Sequence, residues 1–542
     1  LTISPVSTPG AEQPRNTSAP FTTSATNARS EGTPPGSKRP FIRAVPFVLL
    51  ILAFLASRAD GDSTRPKHRP ARRAAVSEPA RPLTLEERLR AVARRTPVRN
   101  RAEVAVAIAP VGEAPILEMN AGTELILAST TKLFTTAAAF DRLGPGYRFR
   151  TALLQDGELL PDGPLAGRLV VRGGGDPAIS GRLYDDDPWA VFRPWAAALA
   201  ARGVRSVRDG LALDTSFFDD VTTHPDWPAA QEQHWWQAPV SALSYNDNVV
   251  LVRVTGGLRP GGRASLGFYP ARPFLMSLVG RVTTHGGRGA SVGVSRNPGS
   301  PRVVASGAVG RRRTWSGDVT VVDPPLYLAS AFTKVLEDEG IAVGGEPEVR
   351  TERRSAPMSL PLLHVHETPI LPALAVCNKR SQSFFAEQIL KTLGAERRGL
   401  GSWANGLAEV SEFLRSLGLD PARYRLADGS GRSRENRASA GAYLDFLQAL
   451  ATRWPHFAAF EPTLAVTGDM AGSLRYRMLG PDTRGKVFAK TGNIAGVVTL
   501  AGWIEARSGQ RYAFVILANG GCGEGSGHAY QDRILGTLAR FG

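Results

Sequence analysis

The chain has 542 residues, a length that accommodates about three or four domains and several hydrophobic cores. Hydrophobic residues make up 42% of it and charged residues 21%, which suits a globular protein and excludes collagen, a coiled coil or wholesale disorder. The net charge of +16 is uneven, because residues 1–100 carry 17 Lys and Arg against 7 Asp and Glu. The basic character therefore belongs mainly to an N-terminal arm. Since the arm lacks aromatic-interleaved basic patches and zinc-finger spacing, we predict no nucleic-acid partner.

Three segments are predicted ahead of the folded part. Residues 1–37 are rich in Ser, Thr, Pro and Gly without apolar periodicity, which indicates disorder. Residues 38–59 have the pattern of a signal peptide, in which basic residues precede the uncharged stretch 44–56; an uncleaved signal anchor is the alternative. Residues 60–82 are rich in Arg, Pro and Ala and are predicted to be a linker. We therefore expect an extracytoplasmic protein, in the periplasm or cell wall, that is either secreted or held by an N-terminal membrane tether.

The folded part is predicted to begin with a helix over residues 83–95, which Thr84 would cap. Two strands are expected next, at 103–108 and 116–119, on either side of a Pro/Gly turn. An Ala-rich apolar run over 128–143 then predicts a second helix.

The middle of the sequence differs from the flanking parts in its pattern of apolar residues. Residues 154–350 consist of short apolar runs, such as 168–172 and 249–253, separated by Gly/Pro turns. This pattern predicts a mainly β insert of one or two accessory domains. Helical periodicity returns over 370–393 and 403–417.

The C-terminal part predicts a hairpin, with strands at 498–505 and 511–518, and a closing helix over 530–540. Cys377 and Cys522 are the only cysteines in the sequence. A Cys-x-x-Cys metal or redox motif is therefore excluded, whereas a single long-range disulfide is left open.

The predicted helix over 128–143 opens with Ser129-Thr130-Thr131-Lys132, which puts a hydroxyl and an amine three residues apart on one face. A serine hydroxyl is a weak nucleophile, and a nearby lysine can accept its proton only when burial or a second cation leaves the amine partly neutral. The helix N-terminus adds amide protons that can stabilise an oxyanion. Ser-x-x-Lys often occurs by chance, and Ser129 could equally be a helix N-cap. The motif therefore indicates a catalytic site only if a second motif elsewhere in the chain accompanies it.

The second motif is Lys490-Thr491-Gly492, which follows a strand-like run at 486–489. On the edge of a sheet, a cation and a hydroxyl beside a glycine can hold the carboxylate of an extended peptide. An ordinary strand end with an exposed lysine is the alternative for this motif in isolation. In this order, the two motifs resemble the serine-lysine signature of β-lactamases and penicillin-binding proteins.

A third element, Ser-x-Asn, has two candidates. Ser244-Tyr245-Asn246 fits the letters but lies in a turn-then-strand context, so we predict a structural role for it. Ser381-Gln382-Ser383 fits the letters less well, but it lies in a helical run over 378–390, 109 residues before Lys490. We therefore favour Ser381-Gln382-Ser383.

With these motifs, the chain resembles the D-alanyl-D-alanine carboxypeptidase/endopeptidase family of low-molecular-mass, class C penicillin-binding proteins. In that family, inserted domains separate Ser-x-x-Lys from Ser-x-Asn. The resemblance covers about residues 83–540 and includes three further landmarks: Val171-Arg172-Gly173-Gly174-Gly175-Asp176-Pro177, Asp428-Gly429-Ser430-Gly431 and Gly472-Ser473-Leu474-Arg475-Tyr476-Arg477. It implies an α+β fold, a serine β-lactamase/penicillin-binding-protein-like transpeptidase domain with an antiparallel sheet flanked by helices. Residues 83–153 and 351–542 would form that domain, split by the mainly β insertion 154–350.

The resemblance also implies the catalytic roles. Ser129 would be the acylated nucleophile and Lys132 its proton acceptor. Ser381 would relay a proton to the leaving amine, and Lys490 would complete the catalytic set while binding the substrate carboxylate.

Four further residues are implied to bind substrate. Thr491 would bind the substrate carboxylate together with Lys490, Gly492 would let the substrate approach, and the backbone amide of Asn493 would complete the oxyanion hole with that of Ser129. Asn493 stands where the family has Thr or Ser, although its backbone donor is unaffected. Ser383 replaces the family's Asn, and one lost or lengthened hydrogen bond costs ~1 to 3 kcal/mol in a buried site. This replacement would weaken the activity without necessarily abolishing it.

We therefore predict a serine-type D-Ala-D-Ala carboxypeptidase/endopeptidase that acts on peptidoglycan stem peptides through an acyl-enzyme on Ser129. β-Lactam antibiotics are the implied covalent inhibitors, and no metal or cofactor is required. A β-lactamase-type hydrolase is one alternative, but the separation of 252 positions between Ser129 and Ser381 argues against it. A catalytically weakened peptidoglycan-binding homologue, suggested by Ser383, is the other.

Two other patterns imitate functional sites. Gly289-Ala290-Ser291-Val292-Gly293 matches the nucleophile-elbow pattern, which requires a helix directly after it. Asn297-Pro298 cannot continue such a helix, so we predict a surface turn. His364 and His366 are spaced like metal ligands without a further Cys/His cluster, which predicts a strand or loop pair without metal.

Overall fold

The computed structural model describes residues 81–98, 102–270, 273–352 and 360–542. The predictions for residues 1–37 and 38–59, and for nearly all of the linker, lie outside the described residues. In the part of the chain that the structure describes, each helix is too short or too polar for a bilayer crossing.

The helices of the described residues are numbered in chain order. They are α1 Leu85–Arg95, α2 Lys132–Leu143, α3 Arg193–Ala201, α4 Pro324–Asp338, α5 Ile370–Lys379, α6 Ser383–Arg398, α7 Trp403–Ser416, α8 Ala440–Arg453, α9 Phe457–Phe460 and α10 Glu524–Phe541. A 3-10 turn, Ala128–Thr131, leads into α2. As predicted, Thr84 caps α1, and the backbone amide of Thr84 donates in return to the Glu87 carboxylate, which completes a capping box.

The strands are numbered in the same way. They are β1 Glu103–Pro110, β2 Leu117–Met119, β3 Glu124–Ile126, β4 Arg148–Leu159, β5 Pro164–Arg172, β6 Ser206–Val207, β7 Leu211–Asp214, β8 Val249–Thr255, β9 Ser265–Tyr269, β10 Ser277–His285, β11 Ala290–Arg296, β12 Arg302–Gly310, β13 Thr314–Thr320, β14 Ala342–Val343, β15 Glu348–Arg350, β16 Leu362–Pro369, β17 Tyr424–Arg425, β18 Arg437–Ser439, β19 Ala465–Val466, β20 Val487–Ile494, β21 Val497–Glu505 and β22 Arg511–Asn519.

An antiparallel sheet in the order β19-β20-β21-β22-β1-β2 organises the domain that carries both sequence motifs. Its strands are apolar on both faces, since Val515 and Leu517 of β22 join one core while Phe514 and Ile516 join another. A sheet covered by helices on both sides requires such continuous apolar runs. Helices α1 and α10 cover one face, and α2, α8 and their neighbours cover the other. The predicted antiparallel sheet flanked by helices is confirmed.

Helix α2 lies inside the helical layer, where it packs against α5, α6 and α7. All of its residues from Lys132 to Phe140 are buried, and the ring of Phe134 stacks on that of Phe446 with centroids 4.2 Å apart. A helix enclosed on all sides must be apolar nearly throughout. Lys132, at its first position, is therefore a cation placed in the core.

The insert has its own core, formed by a seven-stranded sheet, two three-stranded sheets (β10-β12-β11 and β13-β8-β9), α3 and α4. Strands β4 and β16 pair within the larger sheet, which therefore extends from Arg148 to Pro369. The mainly β region also contains α3 and α4, which the sequence analysis did not predict. Asp323 caps α4 and Pro324-Pro325 opens it, a position where proline is well tolerated because the first helical amides need no partner within the helix.

Three further expectations were wrong or are now decided. The helical run over 370–393 is interrupted, because Ser381 adopts a φ of 60° between α5 and α6. Ser291, expected in a surface turn, lies within β11. Cys377 and Cys522 are both free and buried, so the disulfide that the sequence left open is not formed.

Candidate active site

Four polar side chains from distant parts of the sequence meet where the β20 edge of the sheet faces the helical layer. Ser129 lies in the 3-10 turn before α2, and Lys132 is the first residue of α2. Ser381 comes from the α5–α6 connection and Lys490 from β20. Hydrogen bonds within this group join Ser129 to Lys132 and Ser381 to Lys490.

The Ser129–Lys132 pair has the geometry for proton transfer. The Nζ of Lys132 donates to Ser129 Oγ at 2.9 Å, and also to the backbone carbonyl of Ser430 at 2.7 Å. Ser129 is half-buried, so its hydroxyl can be reached from the cleft, whereas Lys132 is fully enclosed. The preceding residue, Ala128, has a φ of 47°, a left-handed conformation that costs a non-glycine residue energy and is found where function requires it.

Burial determines the charge state of Lys132. Desolvation lowers the pKa of its amine to about 8, while Cys377, Glu387 and Asp428 oppose this effect. An appreciable fraction of the lysine is therefore neutral near physiological pH. This neutral fraction can accept the Ser129 proton.

The second pair joins Ser381 to Lys490. The Nζ of Lys490 donates to Ser381 Oγ at 2.7 Å and to the carbonyl of Thr491 at 2.8 Å. Burial, reinforced by Lys132, lowers the pKa of Lys490 well below its ordinary value. The left-handed backbone at Ser381 interrupts the helical run, and its hydroxyl lies beside Lys490 of β20.

Strand β20 approaches the nucleophile closely at Gly492. A Cβ at this position would lie 3.1 Å from the amide nitrogen of Ser129 and 2.1 Å from Thr499 Oγ1. Only glycine allows this approach without displacing the surrounding atoms. Since β19 pairs only with Phe488 and Ala489, the described residues provide no further strand partner on that side of β20. The segment from Lys490 onward thus presents a free edge to the cleft.

Of the remaining predicted binding residues, Thr491 is half-buried and donates to Ser473 Oγ at 2.9 Å, while Asn493 is exposed. Ser383, the first residue of α6, is buried, and its Oγ lies 3.4 Å from Lys132 Nζ. That distance is long for a hydrogen bond. All eight predicted residues therefore lie in one region, although Ser383 makes only a weak contact there.

Glu387 of α6 was missed by the sequence reasoning. Its carboxylate accepts from the backbone amides of Gly429 and Ser430 at 2.9 and 2.8 Å, and from Trp403 Nε1 at 2.9 Å. These bonds hold the turn whose Ser430 carbonyl receives Lys132. Burial raises the pKa of Glu387 to about 7. A glutamate within the apolar run of α6 was the available signal, because a fully buried carboxylate requires partners.

Asp428 anchors the insert on the catalytic part. It accepts from the amide of Gly431 at 2.8 Å, from Asn436 Nδ2 at 2.9 Å, and from Nε1 of the insert residue Trp227 at 2.9 Å. The Asp428–Gly431 landmark had no role that could be assigned from the sequence. Its local bonds build the turn beside Lys132.

The candidate that we did not favour, Ser244-Tyr245-Asn246, does not belong to the catalytic group but contacts helix α6, which begins at Ser383. Ser244 Oγ donates to the carbonyl of Ser241 and accepts from Gln388 Nε2, both at 2.9 Å. Its neighbour Asp247 accepts from Gln382 and pairs with Arg182 of the insert. The insert thus holds the connection that carries Ser381.

The model of the D-Ala-D-Ala carboxypeptidase 3 (S13) family matches residues 85–541. A D-alanyl-D-alanine carboxypeptidase of Actinomadura sp. (strain R39) is 32% identical over 444 residues, covering 78% of this chain and 78% of that protein. The crystal structure of penicillin binding protein 4 (dacB) from Haemophilus influenzae is similar with a TM-score of 0.71 and 22% identity, covering 83% of this chain and 99% of the other. The same protein complexed with a novel β-lactam gives a TM-score of 0.65 and 23% identity, with the same shares covered. The predicted penicillin-binding-protein-like α+β fold is confirmed.

Proposed function

This chain belongs to the D-Ala-D-Ala carboxypeptidase 3 (S13) family of serine-type carboxypeptidases, and from that premise we propose that it cleaves peptidoglycan stem peptides through an acyl-enzyme on Ser129. The observation that carries the proposal is the 2.9 Å hydrogen bond between the reachable Ser129 hydroxyl and the buried Lys132 amine. A buried lysine that is not directly bonded to a carboxylate is unfavourable for stability. Activation of a nucleophile is a function that accounts for such a lysine.

In the acylation step, neutral Lys132 takes the proton of Ser129 while Ser129 Oγ forms a bond to the carbonyl carbon between two D-alanines. The backbone amides of Ser129 and Asn493 receive the oxyanion. The tetrahedral intermediate then breaks its C–N bond and expels the terminal D-alanine as its amine. The proton that Lys132 took from Ser129 passes to this amine through the Ser381 hydroxyl, which Lys490 holds by a hydrogen bond, so that Lys132 is neutral again before deacylation.

In the deacylation step, water attacks the ester of Ser129, and the proton that water loses returns through Lys132 to the serine oxygen. Thr491 and Gly492 lie on the free edge of β20, where an extended peptide can align beside the strand with its carboxylate near Lys490. The same edge would admit a peptide cross-link, so we propose endopeptidase activity beside the carboxypeptidase activity.

We propose that β-lactams acylate the same serine, because the Haemophilus influenzae protein with this fold was solved in complex with one. We also propose an extracytoplasmic location. Its support is the signal-like pattern of residues 38–59 and a substrate that belongs to the cell wall.

Intact-mass measurement after incubation with benzylpenicillin tests the acyl-enzyme. We expect one long-lived adduct per wild-type chain, no adduct on Ser129→Ala, and an unchanged adduct on Ser508→Ala, which removes an exposed hydroxyl in the β21–β22 turn. Absence of the adduct from wild type, or its persistence in Ser129→Ala, contradicts the proposal.

Two further readouts distinguish the alternatives. Release of D-alanine from a peptide ending in D-Ala-D-Ala should be lost together with the adduct in Ser129→Ala. Rapid turnover of a chromogenic cephalosporin without an accumulating adduct would identify a β-lactamase instead. Binding to peptidoglycan with neither adduct nor D-alanine release would identify a wall-binding homologue.

A further inference from the structure

A recess of about 380 Å³ lies between α1 and α10, on the face of the six-stranded sheet opposite the helical layer. Val92 and Phe541 form its apolar part, and Arg95, Arg533 and Arg540 stand around it. The residues of the candidate active site belong to the β20 edge and the other face, so this recess is a separate feature.

The three arginines around the recess are exposed, and among the described residues no ion pair joins them to a carboxylate. Three of the four acidic residues of the same helices form ion pairs elsewhere, and the fourth, Glu524, lies at the start of α10, nine residues before Arg533. Glu86 pairs with Arg90 at 2.8 Å, and Glu87 pairs with Arg81. The Asp532 carboxylate of α10 pairs with Arg477, which lies outside the recess. The recess therefore keeps an uncompensated positive charge.

Exposed apolar side chains accompany this charge. Phe541 is 46% exposed and Leu83, just before α1, is 52% exposed. The guanidinium groups of Arg88 and Arg540 lie 4.4 and 5.4 Å from the centre of the Phe541 ring. Cations with long apolar stems beside exposed Leu and Phe are typical of surfaces that lie at a membrane interface.

The sequence ahead of α1 adds charge of the same sign. Residues 65–82 contain six Lys and Arg against one Glu, and 24 residues lie between the uncharged stretch 44–56 and Arg81. A chain of that length spans at most about 80 Å. Among the described helices, α1 is therefore the nearest in sequence to the uncharged stretch.

We propose that the α1–α10 face is a docking surface for the anionic headgroups of a phospholipid bilayer. Arg95, Arg533 and Arg540 hold lipid phosphates by charge-assisted hydrogen bonds, and Val92 and Phe541 contact the adjoining apolar part of the lipid. Docking in this way turns the opposite side of the sheet, with the catalytic cleft, away from the bilayer and toward the cell wall.

Cosedimentation of the full chain with vesicles tests this surface. The vesicles are phosphatidylcholine alone or phosphatidylcholine with a third of phosphatidylglycerol. The test variant is the triple Arg95→Glu, Arg533→Glu and Arg540→Glu. The matched control reverses three exposed arginines of the β12–β13 turn, Arg311, Arg312 and Arg313, so both variants have the same net charge and both keep the N-terminal arm.

Each arginine near an anionic surface strengthens partitioning about fivefold, so the test variant should lose at least about a hundredfold in binding to the anionic vesicles. The control should change by less than about threefold, and neutral vesicles should bind both variants equally. Release of D-alanine from a soluble peptide should be unchanged in the test variant, because none of its substitutions touches the cleft. Equal losses in the two variants, or no loss in the test variant, would overturn the proposal.

A second measurement covers the case in which the N-terminal arm alone holds the protein on vesicles. Amide hydrogen exchange should be slowed in α1 and α10 by anionic vesicles, in wild type and in the control variant but not in the test variant. Unchanged exchange in both helices of wild type contradicts docking. If millimolar inorganic phosphate releases the wild type from vesicles, or slows exchange in α1 and α10 as much as vesicles do, the recess is a small-anion site and the membrane proposal fails.

Discussion

Replacing Ser383 by asparagine should raise the rate at which Ser129 is acylated. Ser383 Oγ lies 3.4 Å from Lys132 Nζ, beyond the usual range of about 2.7 to 3.2 Å for a hydrogen bond. An asparagine carries its amide one bond further from the backbone, so its oxygen can accept from Lys132 at normal distance. Its NH₂ group then remains available to the backbone of the substrate.

The magnitude follows from the gain of one hydrogen bond to a charged or partly charged group. Such a bond contributes about 1.5 to 3 kcal/mol, which corresponds to roughly a tenfold to hundredfold increase in rate if the bond acts mainly in the transition state. Removing the serine hydroxyl has a much smaller effect, because only the long contact is lost. We therefore expect Ser383→Ala to change the rate by no more than about threefold.

The assay is the second-order rate constant for acylation by a fluorescent penicillin, measured by stopped flow for wild type, Ser383→Asn and Ser383→Ala. The thermal midpoint of each variant verifies that α6 is intact. An unchanged or slower acylation in a stably folded Ser383→Asn would refute the reasoning, because it would mean that the buried surroundings of α6 have adapted to serine. A large loss in Ser383→Ala would likewise show that the 3.4 Å contact is worth more than its length implies.

The other predictions concern the environment of the nucleophile. Acylation measured from about pH 6 to about pH 9 should increase as the pH passes about 8, since Lys132 accepts a proton only when neutral; a flat profile would assign the base elsewhere. Glu387→Ala should lower the free energy of unfolding, measured in urea, by about 3 kcal/mol and should slow acylation, because three buried donors lose their acceptor. A normal acylation rate in this variant would show that the turn at Gly429 and Ser430 does not affect the reaction. Gly492→Ala should lower adduct formation by more than about a hundredfold, since its Cβ would lie 2.1 Å from Thr499 Oγ1. Gly289→Ala is the control, because a Cβ at that position meets nothing within 4 Å. An equal effect of the two substitutions would contradict the proposed clash at position 492.

The features that could be read from the sequence are local ones. The capping box at Thr84 involves residues three positions apart, and the Ser129–Lys132 bond joins residues of one helical turn. The hairpin of β21 and β22 likewise follows from two apolar runs and a short turn. Interactions between neighbours in sequence depend little on the rest of the chain, so their residue types suffice to predict them.

Longer-range features required the folded chain. Ser383 and Ser430 are 251 and 298 residues from Lys132, and only packing brings them to its amine. Packing also interrupts the helix at Ser381, where the bond to Lys490 holds a left-handed backbone that helical periodicity would not predict. Glu387 had no partner within its own helix to indicate its role.

The sequence by itself determined which groups can react, in which order along the chain, and that a mainly β insert separates them. The tertiary structure decided which of two serine motifs faces the nucleophile, where the sheet of the insert begins and ends, and how far burial lowers the pKa of Lys132. The physical reason is that desolvation and close approach are properties of the assembled core. They arise only when segments hundreds of residues apart exclude water from the same space.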